Sequence, residues 1–372
     1  NGNLTVINSN TNFASSISFA AAPQAVVNIN GTNNLLQLTS GNGSINLTGN
    51  GTMNINQNLV LNCSSGSGTF STTSGGSGVT NLNTGAALVT STFSAGTLSL
   101  TNFNQIGNTP QTLTLTGTSA LVFNNASFDA NLTAVAPKLN LANSTFDGTT
   151  VLTINGNAAE ICPGGNIFNG TTTINHQGSK TFAMASSTGD QFNGNVTFNR
   201  TGIGSLNVAN SGTTSFGGNL TITGSATNFG FTGGTISFNG NTNQTLTPLA
   251  SGLSVPRLTV NKSAGNLVLA GGLSVTTNLN LANGGILLNS NLLTMATGNA
   301  AALTRTNGYI ISESIDLQSN RARALSRLRW NIGTNTGSYL FPFGTSIGEY
   351  IPVTFNVTTP GDNTFGSIFM ST

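Results

Sequence analysis

The sequence of 372 residues predicts an all-β fold, a right-handed parallel β-helix of about 22–24 residues per coil followed by a small antiparallel β module. Three observations predict it: a repeated phrase, short bursts in which apolar and polar residues alternate, and a change of composition near residue 305. We place the β-helix (β-solenoid) at residues 1–304 and the antiparallel module, β-sandwich-like and capping, at residues 305–372.

The repeated phrase is a phenylalanine followed by Asn, Asp or Gly and then by Gly, as in QFNGNVTF (191–198) and SFGGNLTI (215–222). A weaker copy starts at Phe128. The main copies are spaced by 22, 24, 24 and 22 residues and contain Phe146, Phe168, Phe192, Phe216 and Phe238. Equivalent residues of successive coils stack about 4.8 Å apart, so we expect these rings to form an internal ladder.

Within one period the apolar residues alternate with polar ones in bursts of four or five, for example Val196 with Phe198 and Leu206 with Val208. Such period-two bursts are typical of strands. The segments between them are rich in Gly, Asn and Ser, which tolerate the backbone angles of tight corners. Three strands and three corners form one coil; the alternative is an antiparallel sandwich whose sequence repeats by chance.

Charge content excludes several classes of protein. Only 5% of the residues are charged, and none of residues 1–128 is Asp, Glu, Lys or Arg. A formal net charge of +2 with scattered carriers cannot form the phosphate-neutralising stripe that nucleic-acid binding requires. No apolar run approaches the roughly 18 residues of a membrane-spanning helix. We therefore expect no nucleic-acid partner and no transmembrane segment.

The C-terminal region changes character because half of the ten basic residues occur there. They are Arg305, Arg321, Arg323, Arg327 and Arg329. Strand-like segments then alternate with the turns GTNTG, GTSIG and TTPGDN, the pattern of an antiparallel meander. We expect the arginines to form a solvated, salt-bridged face, and the module to cover the last coil. The N-terminal edge NGNLTVINSN carries no such cover, so we expect preceding sequence or a second copy to complete it.

Aromatic residues outside the expected core are few. Trp330, Tyr339 and Tyr350, all in the terminal module, are the candidates for surface contact with glycans.

Carboxylates are the first candidates for chemistry, because paired Asp or Glu side chains process polysaccharides. Asp129 and Asp147 occupy the same place in neighbouring repeats, so they could stack at a corner. Stacked carboxylates repel unless Ca²⁺ or a shared proton compensates, which makes the two residues candidate Ca²⁺ ligands. With only eight acidic residues in the chain, we expect no catalytic site, no cofactor and no enzyme activity.

His176 and the two cysteines are the other reactive side chains. His176 is the only histidine and ends the strand-like segment TTTINH, where we expect a solvated corner. Cys63 and Cys162 are 99 residues apart, about four coils, so we expect two separate buried thiols. A disulfide between Cys63 and Cys162 remains an alternative if fewer coils separate the two residues.

The segments FNGNVTFNRTGIGSLNVA, PRLTVNKSAGNLVLAGGLSVTTNLNLANGGILL and LRWNIGTNTGSYLFPFGTSIGEYIPVTFNV carry a resemblance that is strongest in residues 192–357. The chain resembles the large, repetitive, secreted β-helical surface proteins of Bacteroidota, typically cargo of the type IX secretion system. The resemblance implies an extracellular or cell-surface location. Such proteins usually end in a sorting domain, which these 372 residues lack, so we expect a processed segment of a longer precursor.

These observations together favour a secreted structural or adhesive β-solenoid, a stiff stalk or fibre component with polar Asn and Thr faces. Its expected partners are further copies of itself, neighbouring domains of its precursor, and glycans or other cell-surface components. One alternative is a polysaccharide-binding or polysaccharide-processing β-helix. A lesser alternative is an ice-binding surface, suggested by TLTLTGT (112–118) and TTT (171–173).

Overall fold

The computed structural model describes residues 51–72, 77–225, 229–313, 326–359 and 366–371, together with five earlier strands. In these ranges the chain is almost entirely β, with one 3₁₀ turn at Ala300–Ala302. The strands stack in parallel as a β-solenoid, and a few antiparallel strands follow near the C-terminus. The predicted parallel β fold is therefore confirmed.

The chain divides into two compact units. Unit 1 comprises Asn1–Ser186 and Asn199–Leu206, and unit 2 comprises Ser187–Phe198 and Asn207–Thr372. The strands of unit 1 are Thr5–Asn8, Ser16–Ser18, Val26–Ile29, Leu35–Ser40, Ser44–Asn46, Thr52–Ile55, Asn58–Cys63, Thr69–Ser71, Val79–Leu82, Leu88–Phe93, Thr97–Gln105, Gln111–Thr114, Ala120–Phe128, Leu132–Ala136, Lys138–Ala142, Thr145–Phe146, Thr150–Ile154, Glu160–Ile161, Ile167–Phe168, Thr172–His176 and Phe182–Ala183.

The strands of unit 2 are Gln191–Phe192, Thr213–Phe216, Leu220–Gly224, Phe229–Phe231, Thr235–Phe238, Gln244–Thr247, Leu253–Leu269, Leu273–Leu287, Leu292–Met295, Leu303–Arg305, Tyr309–Ile311, Arg327–Asn331, Gly337–Gly344, Tyr350–Val357 and Ser367–Met370. Residues of Val196–Arg200 and Leu206–Val208 are shared between the two units.

Coil length varies more than the sequence repeat suggests. Phe146 pairs with Phe168, 22 positions later, but also with Phe128, 18 positions earlier. Leu59 pairs with Leu88, 29 positions later. The predicted 22–24 residues per coil therefore describes the stretch from Phe146 to Phe238. Elsewhere the parallel pairing continues with coils of other lengths, and in Leu88–Phe93 the register shifts inside the strand, between Thr90 and Thr92.

The interior follows from the alternation within each strand. In Thr150–Ile154 the first, third and fifth side chains are buried and the other two are half-buried. Phe146 and Phe168 stack in unit 1 with ring centroids 4.9 Å apart and planes 11° from parallel. In unit 2 Phe216 stacks on Phe192 and Phe238, with centroid distances of 5.5 Å in both pairs. In the next coils Val260 and Leu281 continue this column.

The change from parallel to antiparallel pairing comes later than residue 304. Leu303–Arg305 and Tyr309–Ile311 still pair in parallel with Leu273–Leu287, and Arg327–Asn331 pairs in parallel with Leu292–Met295. Antiparallel pairing joins Gly337–Gly344 to Tyr350–Val357, and Ser367–Met370 to Arg327–Asn331. The predicted boundary therefore does not coincide with the change of pairing, and the capping role of the C-terminal strands stays a prediction.

Candidate functional site

The outer faces carry columns of small polar side chains in register. In unit 1, Asn81 Nδ2 donates a hydrogen bond to Asn54 Oδ1 at 2.9 Å, and Asn104 Nδ2 donates to Asn81 Oδ1 at 3.1 Å. In unit 2 the equivalent positions of successive strands are all polar. They are Gln191, Ser215, Ser237, Thr259, Asn280 and Thr304, of which Ser237 is buried and the others are half-buried or exposed. Asn, Ser and Thr suit such columns because each can bond to the residue above or below without like-charge repulsion.

Another face of unit 1 is rich in threonine. Its strands Gln111–Thr114, Leu132–Ala136, Thr150–Ile154 and Thr172–His176 pair in parallel. One outward column contains Thr112, Thr133, Val151 and Thr173, and the other contains Thr114, Val135, Thr153 and Asn175. These side chains are exposed or half-buried, so they present a regular array of hydroxyl and methyl groups, which we call the threonine face.

Asp129 and Asp147 lie at equivalent corners, because each follows one member of the paired residues Phe128 and Phe146. Asp129 Oδ2 accepts a hydrogen bond from the backbone N–H of Gly107 at 2.9 Å. Asp147 Oδ1 accepts one from Asn169 Nδ2 at 2.6 Å. Each carboxylate therefore ties its corner to a different neighbouring coil. In the described ranges, no group of three or more His, Cys, Asp or Glu side chains could hold a metal ion.

His176 is buried, with 1% of its surface exposed, so the expectation of a solvated corner is wrong. Its ring stacks on Phe182 with centroids 6.2 Å apart, and its Nδ1 has no hydrogen-bond partner. Burial lowers the pKa of His176 from its usual 6.5; a hydrogen bond with the backbone of Lys180 opposes this, and the charge of Arg200 adds to it. Alternation along the strand could have predicted this burial, because position 176 is in phase with the inward Ile174.

Two buried glutamines, Gln111 and Gln244, were not predicted, yet they bond adjacent coils together. Gln111 Nε2 donates to the carbonyl oxygens of Thr109 and Ala86, at 2.8 and 3.3 Å, and its Oε1 accepts from the N–H of Leu88 at 2.8 Å. Gln244 bonds in the same way in unit 2, with Nε2 donating to the carbonyl oxygens of Phe216 and Gly218. The sequence signal for their burial was again the alternation, because both glutamines are in phase with inward aliphatic residues of their strands.

Lys262 is a further buried polar residue of unit 2, with 1% of its surface exposed. Its Nζ donates to Gln244 Oε1 at 2.6 Å and to the carbonyl oxygen of Gly240 at 2.9 Å. Burial lowers the pKa of Lys262 to about 8. The ammonium group of Lys262 thus forms hydrogen bonds at the same corner as Gln244, which indicates a structural role for Lys262.

Two of the three aromatic residues proposed for surface contact are buried, and that part of the prediction is wrong. Trp330 and Tyr339 pack edge to face with ring centroids 5.1 Å apart, and both have no exposed surface. Trp330 Nε1 donates to the carbonyl oxygen of Thr297 at 3.0 Å, and Tyr339 Oη donates to that of Gly298 at 2.9 Å. Their polar atoms therefore have partners inside the fold, which allows complete burial. Tyr350 is 38% exposed, and Arg305 Cζ lies 3.6 Å from the centre of its ring.

The described arginines of the C-terminal region contact aromatic rings, hydroxyls and carbonyls. Arg327 Cζ and Arg329 Cζ lie 5.4 and 5.3 Å from the ring centre of Phe369, which is 47% exposed. Arg329 Nε donates to Ser367 Oγ at 3.1 Å. Arg321 and Arg323 lie outside the described residues. The region therefore presents cations beside an exposed ring.

Cys63 and Cys162 are both thiols with no exposed surface. Burial raises the pKa of the Cys63 thiol. Each sulfur faces a backbone carbonyl, that of Ser65 for Cys63 and that of Leu139 for Cys162. They act as small apolar residues of the core.

Comparison with protein-family models, with curated proteins and with solved structures produced no match for this chain. In the part of the chain that the structure describes, no helix is long and apolar enough to cross a membrane.

Proposed function

We propose that the chain is a secreted or cell-surface structural or adhesive β-solenoid that acts as a stiff stalk or fibre component. The observation that carries this proposal is the register of small polar side chains on the outer faces, strand after strand, over an interior of stacked rings and aliphatic residues. Repeats of this kind make each coil interact with its neighbours only, as in other repeat scaffolds.

The positions of the potentially reactive side chains support a non-catalytic role. Asp129 and Asp147 bond to groups of neighbouring coils, and His176 lies inside the solenoid. Acid–base catalysis requires such groups to reach a substrate. His176 is buried and cannot do so, and the two exposed carboxylates use an oxygen in hydrogen bonds between coils.

The resemblance to secreted β-helical proteins supports the extracellular location and export through a type IX pathway. Antibodies against the chain should label intact cells of the organism that makes it. Labelling that appears only after the cells are lysed would contradict a surface location.

Mechanical stiffness has a direct test in single-molecule force spectroscopy with the chain held by its two ends. Coils should come off one at a time, each releasing about 80 Å, since about 23 residues extend to about 3.5 Å each. A Phe216→Ala variant should lower the force of the steps that release the coils around Phe216, while Ile347→Ala, at an 83% exposed position, should not lower the force of any step. Release of the whole chain in one step at low force would contradict the stalk function.

A second candidate function, ice binding, is favoured by the threonine face. Its outward positions repeat about 4.8 Å apart between strands and about 6.6 Å apart along a strand. Five of these eight positions carry threonine hydroxyls, an arrangement that could order water. Thermal hysteresis and inhibition of ice recrystallisation test it. Thr133→Lys should abolish both effects if the face binds ice, and Thr259→Lys in unit 2 serves as the control on another surface.

A further inference from the structure

One outer face of unit 2 is built differently from the polar columns described above. The segments at 253–255, 273–275, 292–295, 327–331 and 367–370 lie side by side as neighbouring strands. Across them runs one row of outward positions in register: Ser254, Ser274, Thr294, Arg329 and Phe369. We call Ser254, Ser274 and Thr294 the hydroxyl row.

A groove of about 410 Å³ lies over the hydroxyl row. Its lining also includes the apolar side chains of Phe229, Leu249 and Leu292 and two glycines, Gly252 and Gly272. Ser254 is exposed, and Ser274 and Thr294 are half-buried. Within the described ranges, the hydroxyls of these three residues form no hydrogen bond with the protein. They are therefore available to an extended ligand that brings its own donors and acceptors.

Two guanidinium groups lie where the hydroxyl row ends. Arg327 pairs with Leu292 and Arg329 pairs with Thr294 in the adjacent strand, so both side chains project on the same outer face as the groove. Both flank the exposed ring of Phe369. No described carboxylate forms an ion pair with either arginine, and Arg327 Nε is buried without an acceptor. Positive charge and unused donors thus meet at one end of the groove.

These features complement one class of ligand. Sugar hydroxyls match the hydroxyl row, the apolar face of a sugar ring matches Phe369, and a carboxylate or sulfate matches a guanidinium in charge and in planar, forked geometry. From Ser254 to Arg329 the row crosses three strand spacings, about 14 Å in total, the length of a short oligosaccharide. A neutral polymer would leave the two arginines unpaired.

We propose that this groove binds an acidic polysaccharide. The hydroxyl row contacts the sugar hydroxyls, Arg327 and Arg329 bind an anionic group of the chain, and Phe369 packs against a sugar ring. The inference deepens the proposed adhesive function and rests on it, because it names the chemistry of the surface to which the solenoid attaches.

Isothermal titration calorimetry with defined oligosaccharides tests the proposal. The probes are an oligogalacturonide for carboxylates, a sulfated dextran oligosaccharide for sulfates, a neutral gluco-oligosaccharide, and single-stranded DNA of similar charge. We expect one or both anionic sugars to bind at least ten-fold more tightly than the neutral one, and the stronger of them identifies the anionic group. Absence of binding to both anionic sugars overturns the proposal. So does binding of DNA as tight as that of the better sugar, because it would mark a general polyanion surface.

Variants locate the binding. The double variant Arg327→Gln, Arg329→Gln should weaken the binding of the acidic sugar at least ten-fold. Arg257→Gln is the matched control, because Arg257 is on another face of unit 2, where its guanidinium donates to the carbonyl oxygen of Gly233. An equal loss with the control overturns the location.

Ser274→Tyr fills the groove from an outward position and should weaken binding even if the double variant fails to fold; unchanged affinity overturns the role of the groove. Coil-by-coil release in the pulling experiment is independent of sugar binding, so it separates failure of this inference from failure of the proposed scaffold.

Discussion

Phe192 and Phe216, which are 24 positions apart in the chain, pack face to face with ring centroids 5.5 Å apart and planes 7° from parallel. Their strands pair in parallel with these two residues directly in register. The recurrence of the phrase around them is therefore a packing device, in which each coil provides the ring on which the next one stacks. This relationship makes the stability of the chain depend on a few repeated side chains.

The ring of Phe216 should be among the most important, because it contacts Phe192 on one side and Phe238 on the other. We expect Phe216→Ala to lower the free energy of unfolding by about 3–5 kcal/mol, as large-to-small core substitutions do. Denaturant unfolding measures it. Ile347→Ala, at an exposed turn, is the control and should change stability by less than about 0.5 kcal/mol; a Phe216→Ala effect as small as that would contradict the ladder.

His176 should make stability depend on pH. Since burial lowers its pKa in the folded chain below the usual 6.5, the unfolded chain takes up the proton first as the pH falls. Its contribution to stability is therefore present above pH 6.5, and is lost as the pH falls through the lowered folded-state value. In the His176→Leu variant the free energy of unfolding should therefore depend less on pH between about pH 7.5 and 5 than it does in the wild type. Parallel curves for the two proteins would show that His176 does not titrate as described.

Gln111 should be needed for its hydrogen bonds rather than for its size. Gln111→Leu leaves the N–H of Leu88 without its side-chain acceptor and two carbonyl oxygens without a donor. An unsatisfied buried group costs about 1–3 kcal/mol, so thermal unfolding should shift clearly to lower temperature. The neighbouring outward substitution Thr112→Ala serves for comparison and should have little effect. If Gln111→Leu is as stable as the wild type, apolar packing alone suffices at this corner.

Gly117 and Gly85 provide a matched pair for corner geometry, because both have positive φ angles, +63° and +86°. A Cβ at Gly117 would overlap the carbonyl oxygen of Ser94, whereas one at Gly85 would meet nothing within 4 Å. Gly85→Ala should therefore cost only the left-handed backbone conformation, about 1–2 kcal/mol. Gly117→Ala should cost clearly more in the same denaturant titration. Equal losses would show that the neighbouring coil can move away from Gly117.

The two thiols should react only when the fold opens. Cys63 and Cys162 have no exposed surface, and burial raises the pKa of Cys63, so the reactive thiolate is disfavoured. We expect a thiol-specific chromogenic reagent to label neither residue in buffer and both in denaturant. Cys63→Ser and Cys162→Ser variants assign the signals. Rapid labelling of either cysteine in the native chain would contradict its burial.

The sequence by itself determined that the chain is a stack of parallel strands. Alternation around Val196 and Phe198 indicated strands, and the return of phenylalanine at position 216 required equivalent residues to meet in successive coils. This inference works because a parallel stack in register needs the same kind of residue at the same place in each coil, and therefore leaves a repeat in the sequence.

Only the tertiary structure decided which polar residues turn inward and how the last strands pack. The alternation along each strand shows which residues share a face with His176, Gln111 or Lys262. It does not show where each corner ends, and a shift of one residue would exchange the inward and outward positions. Similarly, the burial of Trp330 depends on Tyr339 and on the carbonyl oxygen of Thr297, 33 positions away in the chain. The segments around Trp330 and Tyr339 do not repeat the sequence of the earlier coils, so these contacts emerge only when the strands are stacked.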